Sequence, residues 1–288
     1  MIEQLDKEYV LQTYPRNYVN FKRGVNATLF DENEKDYIDF TSGIGVVSVG
    51  HGNESVAKKI YEQKLPLGPI KFEKVNSQRV GASIKDLSFE LPPGKIMTLS
   101  SQPLTHASLV LASIAPFQPI ESGDITIDGI KVSDHQLNEY SQSVLYVLPW
   151  PKLLTGTLLE NMTMFQAELE PQAIGLAEQL GLTQIIAQLP SGYSTEIGEQ
   201  NKTMLNKGAL KLIGLIRAIV QQPSILLLDE PMISLDADAQ VRLTELLTRL
   251  KGEMTILITS HFESLTQISD VHINVEPQTF TEGGVNHE

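Results

Sequence analysis

The chain has 288 residues, 41% of them apolar and 20% charged, which is ordinary globular composition with enough material for one large domain or two small ones. Acidic residues outnumber basic ones by 35 to 22, for a net charge of −13 with no long basic run, which argues against a nucleic-acid groove as partner surface. There is no cysteine, so disulfide frameworks, thiolate zinc sites and cysteine nucleophiles drop out, and no apolar run is long enough to span a bilayer or serve as a secretory leader; a cytoplasmic chain with no direct membrane span is expected.

Residues 1–63 read as short strands and turns followed by one helix. Thr28 to Phe40, TLFDENEKDYIDF, predicts a hairpin, with two β-rich stretches around a polar Asp-Glu-Asn-Glu-Lys turn. Glycine-containing loops follow, and Ser55 to Gln63 predicts a helix. Lys64 to Ile70, KLPLGPI, carries two prolines and a glycine, which neither helix nor sheet interior tolerates well. It reads as a linker that few contacts cross. A first domain over 1–63, a second over 71–277 and a polar tail over 278–288 are expected.

From Lys71 onward strands alternate with helices. Lys95 to Ser101 is a short apolar strand, and THASLVLASIAPF predicts a buried helix capped near Thr105. Ser143 to Leu148 is another strand. ILLLDEP and MTILITS are unbroken apolar runs, the style of strands buried on both faces. Between them, Ala237 to Gly252 predicts a helix stopped by glycine. This order predicts an α/β fold, a parallel sheet with helices on both faces.

SILLLDEP, from Ser224 to Pro231, ends a buried strand in two carboxylates. At a strand's C-terminal edge Asp229 can hold Mg²⁺ through water and Glu230 can polarise an attacking water. The same letters also mark a strand that simply runs out into solvent. Asp236 follows six residues after Glu230 in SLD, and His261 thirty-one after it in TSH. The structural alternative for His261 is a strand-end histidine bonded to a neighbouring carboxylate.

Taken in order, SGDITIDG (Ser122 to Gly129), GTLLEN, LPSGYSTEIGE, ILLLDEP, SLD and TSH resemble the nucleotide-binding domain of ATP-binding-cassette (ABC) transporters of exporter type, over roughly Ile70 to Val275. The resemblance implies a P-loop NTPase-like fold, a mostly parallel sheet with flanking helices plus a helical subdomain, and Mg-ATP as cofactor. It implies Glu230 and His261 as hydrolytic residues, Ser108 and Asp229 on Mg²⁺, and Asp236, Asn206 and Gly208 at the nucleotide. The family's phosphate loop, G-x-x-G-x-G-K-[ST], falls on Ser101 to Ser108. There Ser101, Leu104 and His106 replace the glycines, Ala107 replaces the lysine, and only Ser108 keeps its type. Pro103 has no N–H to give, and Leu104 and His106 add Cβ atoms where backbone must hug a pyrophosphate. Losing the lysine forfeits a charge-assisted contact on the order of 2–3 kcal/mol. The Q-loop glutamine aligns with Pro149 and the adenine-stacking aromatic with Lys74. The LSGGQ signature reads Leu205-Asn206-Lys207-Gly208-Ala209, where Asn206 can hydrogen-bond as the serine does and Lys207 intrudes on bare backbone. The expectation is a degenerate domain with weak or no ATP binding. It would be a structural or regulatory half-site pairing with a second cassette and a separate transmembrane domain at the cytoplasmic face of the inner membrane. The alternative is a slow but genuine ATPase using Asp229, Glu230 and His261.

The first domain carries a different resemblance. TYPR (Thr13 to Arg16), FKRGVNATLFDENEKDYIDF, TSGIGV and GHGN are similar to the N-terminus of class III pyridoxal-phosphate (PLP)-dependent aminotransferases of the acetylornithine type. In that family the Schiff-base lysine, the aspartate on the pyridine nitrogen and the phosphate loop lie further downstream than the resemblance reaches. No residue takes those roles, no PLP is expected, and the role left to the segment is to bind an aminotransferase subunit. Tyr37, Ile38 and Phe40, without their family's burial partners, are expected to pack on the second domain or to leave the arm mobile.

Overall fold

The computed structural model describes residues 21–25, 28–38, 68–115, 118–198 and 205–276, and the chain divides into two units, Met1–Gln63 and Lys64–Glu288. In the first unit β1 (Phe21–Val25), β2 (Thr28–Asp31) and β3 (Asp36–Ile38) form an antiparallel sheet in that order. The predicted hairpin is β2–β3. Asp31 holds its turn: Oδ1 accepts from the N–H groups of Asn33 (2.9 Å) and Lys35 (3.0 Å), and Oδ2 accepts the Tyr37 hydroxyl at 3.0 Å. β1 was not anticipated, because FKRGV mixes charge and glycine without alternation. The predicted helix over 55–63, Phe40, most of the linker and the polar tail lie outside the described residues.

The second unit opens with β4 (Ile70–Arg79), β5 (Ala82–Leu91), β6 (Ile96–Ser100) and helix α1 (Thr105–Ile114). β7 (Ser122–Ile127), β8 (Ile130–Lys131), α2 (Leu137–Ser143) and β9 (Val144–Val147) follow. A mostly helical stretch then contains β10 (Gly156–Thr157), α3 (Leu158–Thr163), α4 (Glu170–Gln179), α5 (Thr183–Ala187) and β11 (Glu196–Ile197). The chain returns through α6 (Lys207–Ile219), β12 (Ile225–Asp229), α7 (Ala237–Leu250), β13 (Thr255–Thr259), α8 (Glu263–Ile268) and β14 (Val271–Asn274).

Five strands, in the order β14-β6-β13-β12-β9, form an all-parallel sheet. Four others, β5-β4-β7-β8, form a separate antiparallel sheet, which the alternation of strands and helices did not predict. Register shifts between Phe72 and Val75 and between Val75 and Ser77 break the alternation of β4, so its sequence hides the strand.

Every residue of β12 and β13 is buried, as their unbroken apolar runs predict. The period of two sends neighbours to opposite cores. Leu226, Leu228, Ile256 and Ile258 join Leu212, Ile216, Leu243 and Leu247 on one side. Ile225, Leu227, Leu257 and Leu99 join Phe72, Leu91, Ile127 and the side chains of α1 on the other. Each such aliphatic contributes roughly 1.5–3 kcal/mol of transfer free energy. α1 packs against strands of both sheets, and only its first residue, Thr105, escapes burial. The buried helix is as predicted, but its cap is not: Leu104 is the N-cap and makes no side-chain capping bond. The Thr105 hydroxyl instead donates to Gly81 O at 3.0 Å. Among the described residues no helix is long and apolar enough to cross a membrane. The fold brings the C-terminal ends of β6, β12 and β13 to the N-terminus of α1, the edge where open α/β sheets place their sites.

Candidate functional site

The loop from β6 to α1 is closed by its own side chains. Ser101 is 1% exposed; its hydroxyl donates to Pro103 O at 2.6 Å and accepts the Ala107 N–H at 2.9 Å. The Ser108 N–H donates to Leu104 O at 2.9 Å, and the His106 N–H to Pro103 O at 3.4 Å. A helix N-terminus ordinarily presents such donors to an anion. Here two successive ones, on His106 and Ala107, turn inward, while the Ser108 bond to the N-cap carbonyl is the helix's own first bond. His106 docks on β5, its Nδ1 lying 2.8 Å from Ser83 O and 3.2 Å from Ser83 N. The Arg79 guanidinium reaches Thr105 O at 3.5 Å. Lys74, aligned with the adenine-stacking aromatic, sits within β4 with its N–H on Ser88 Oγ at 2.9 Å. Arg79, at the end of β4, reaches the loop.

Asp229, 4% exposed at the end of β12, collects three hydroxyls. Ser108 and Thr259 donate to its Oδ1 at 2.7 and 2.6 Å, and Tyr146 donates to its Oδ2 at 2.8 Å. Burial, and then the Asp229 charge, push the Tyr146 phenol well above its ordinary range. Glu230 follows in the left-handed region (φ 47°), a conformation costing roughly 1–2 kcal/mol outside glycine. Two bonds hold it there, from its N–H to Thr259 O (3.2 Å) and to Thr259 Oγ1 (3.1 Å). Its carbonyl accepts Lys211 Nζ at 3.0 Å, while its carboxylate has no hydrogen bond or ion pair among the described residues. Lys211, on α6, is 1% exposed. Burial brings its ammonium down to about 8, against the opposing pull of Asp229 and Glu230. Trp150 lies beside it, with Lys207 Nζ 5.3 Å and Lys211 Nζ 5.9 Å from the ring centroid. Among the described residues no group of three or more His, Asp or Glu side chains is arranged to hold a metal.

The other predicted residues gather elsewhere. Asn206 caps α6, its Oδ1 accepting the Ala209 N–H at 2.7 Å, and Asp236 caps α7, accepting the Ala239 N–H at 2.8 Å. A Cβ on Gly208 would come within 2.8 Å of Ser234 O, so close backbone approach demands glycine there. These three line a cavity of about 560 Å³ with Lys207, Asp238 and Arg242, to which Ser108, Asp229 and Glu230 do not contribute. His261 is exposed and makes no hydrogen bond or ion pair among the described residues, so the expected bond to a carboxylate is not made. The chain turns outward just before it, where Ser260 Oγ accepts the Phe262 N–H at 2.9 Å. Tyr146, Thr259 and Lys211 were missed. Only Lys211 left a signal, as a lone lysine inside the apolar stretch ALKLIGLI.

The family profile described as ABC transporter matches residues 84–233. Among curated proteins, the chain is 27% identical over 233 residues to the ABC transporter ATP-binding protein YknV of Bacillus subtilis, covering 80% of this chain and 38% of that protein. Over 63 residues, 22% of this chain, it is 65% identical to the acetylornithine aminotransferase of Wolinella succinogenes, of which it covers 16%. Among solved structures it is similar to a bacterial Atm1-family ABC exporter with ATP bound, with a TM-score of 0.67 at 21% identity, covering 75% of this chain and 39% of that one; this likeness speaks to the fold alone. The chain thus spans well under half the length of the relatives it matches.

Proposed function

The chain belongs to the ABC transporter family, and on that footing we propose that its second unit is a degenerate nucleotide-binding domain of an exporter. It acts as a structural or regulatory half-site, pairing with a second, competent cassette and with a separate transmembrane domain at the cytoplasmic face of the membrane. The observation that carries the reading is the Ala107 N–H bonded to Ser101 Oγ at 2.9 Å, inside the loop that should open onto phosphate. The missing lysine supports it, and so do the Asp229 oxygens, both already occupied by hydroxyls. These residues do not fit Mg-ATP. Isothermal titration of the full chain with Mg-ATP tests the reading. Affinity in the millimolar range or weaker is expected, and low-micromolar binding overturns it.

The slow-ATPase alternative draws on Glu230, whose carboxylate is unengaged at the end of β12. A basal phosphate release above a buffer blank that drops on Glu230→Gln would establish it. For the first unit, the 65% identity to an aminotransferase over 63 residues supports a docking segment for an aminotransferase subunit, without PLP chemistry of its own.

A further inference from the structure

Helix α6 is apolar along its buried side except at Lys211, which is 1% exposed. Lysine is almost never fully buried unless paired. Among the described residues its Nζ donates a single hydrogen bond, to Glu230 O at 3.0 Å, and it lies 5.9 Å from the Trp150 ring centroid. Neither a carbonyl nor a ring face neutralises an ammonium. The carboxylates of Asp229 and Glu230 form no ion pair with it among the described residues, but the charge of both favours its protonated form. Asp229, for its part, is bound by the hydroxyls of Tyr146, Ser108 and Thr259, neutral donors that satisfy its lone pairs without cancelling its charge.

We propose that Lys211 is the resident cation of this site: together with the three hydroxyls it fills the role a divalent metal would have at the end of β12, and it keeps that metal out. A divalent ion approaching Asp229 has to displace hydroxyl donors and then sit near a like charge in a buried pocket, where repulsion is poorly screened. The inference rests on the degenerate-site reading and deepens it. The turn at Glu230 is ordered by the chain's own ammonium rather than by a metal.

The test uses Mn²⁺ alone as probe, on the full chain without nucleotide. The wild-type melting temperature should be the same in EDTA and in millimolar Mn²⁺. The double variant Lys211→Gln/Tyr146→Phe removes the ammonium and frees one Asp229 oxygen; its midpoint should rise by several degrees in Mn²⁺. That rise should vanish once Asp229→Asn is added. A wild-type midpoint that rises in Mn²⁺, or a double variant that ignores it, overturns the proposal. Should the double variant not fold, Lys211→Met is read instead by the electron-paramagnetic-resonance signal of free Mn²⁺. Stoichiometric loss of signal, absent from wild type, supports the resident-cation role, and an unchanged signal overturns it. Tight Mg-ATP binding, measured in the separate titration, would instead remove the degenerate-site reading, so the two failures are distinguishable.

Discussion

Ser101→Ala removes one oxygen from the centre of the β6–α1 loop. The wild-type hydroxyl donates to Pro103 O at 2.6 Å and accepts from Ala107 N at 2.9 Å. Ser101 is 1% exposed and Ala107 0%, so little water is at hand to replace it. The variant leaves a buried N–H unpaired at about 1–3 kcal/mol and loses a second bond of about 1 kcal/mol, for roughly 2–4 kcal/mol in all. In a unit of this size 1 kcal/mol moves the midpoint by roughly 2–4 °C, so a fall of about 4–16 °C is expected. The assay is thermal unfolding of the full chain by circular dichroism. Ser113→Ala is the control: it makes the same chemical change within helix α1, and its hydroxyl only donates to Leu109 O at 2.8 Å, one turn back. That bond repeats one the helix already supplies, so a change within about 0.5 kcal/mol is expected. A Ser101→Ala midpoint indistinguishable from that of Ser113→Ala would refute the idea that Ser101 closes the loop.

Gly123 has φ +87°, and a Cβ there would run into the carbonyl oxygens of Glu73 and Lys74, so Gly123→Ala should cost roughly 2–4 kcal/mol by chemical denaturation. Burial alone would raise the pKa of Asp270, but the Ile96 N–H (3.0 Å), Lys251 (2.9 Å) and Lys95 (3.3 Å) outweigh it and hold the carboxyl below its usual 3.8. A depressed carboxylate stabilises the fold above its unfolded pKa and loses that contribution as pH falls through the folded value. Asp270→Asn should therefore melt earlier than wild type at neutral pH, with the gap closing below about pH 4; a gap independent of pH contradicts the assignment.

Periodicity and composition determined the parallel sheet. The unbroken apolar runs of β12 and β13 have no solvent-facing side, and a strand with none must lie in the middle of a layered fold. The α1 and α7 helices and the β2–β3 hairpin were equally legible, since each depends on residues close together in the chain. The antiparallel sheet was not, because the shifts in β4 hide its alternation and its partners β5 and β7 are recognised only by pairing.

The site divides along the same line. Asp229 and Glu230 could be picked out as a strand-end pair, but not what surrounds them. Ser108, Tyr146, Thr259 and Lys211 come from four separate elements and meet only when the parallel strands are in register and α6 packs beneath them. Likewise the sequence alone shows that the loop lacks glycines and a lysine. Only the folded loop shows that the Ser101 hydroxyl accepts the Ala107 N–H, because that depends on where a backbone N–H points, and no pattern of side chains records it.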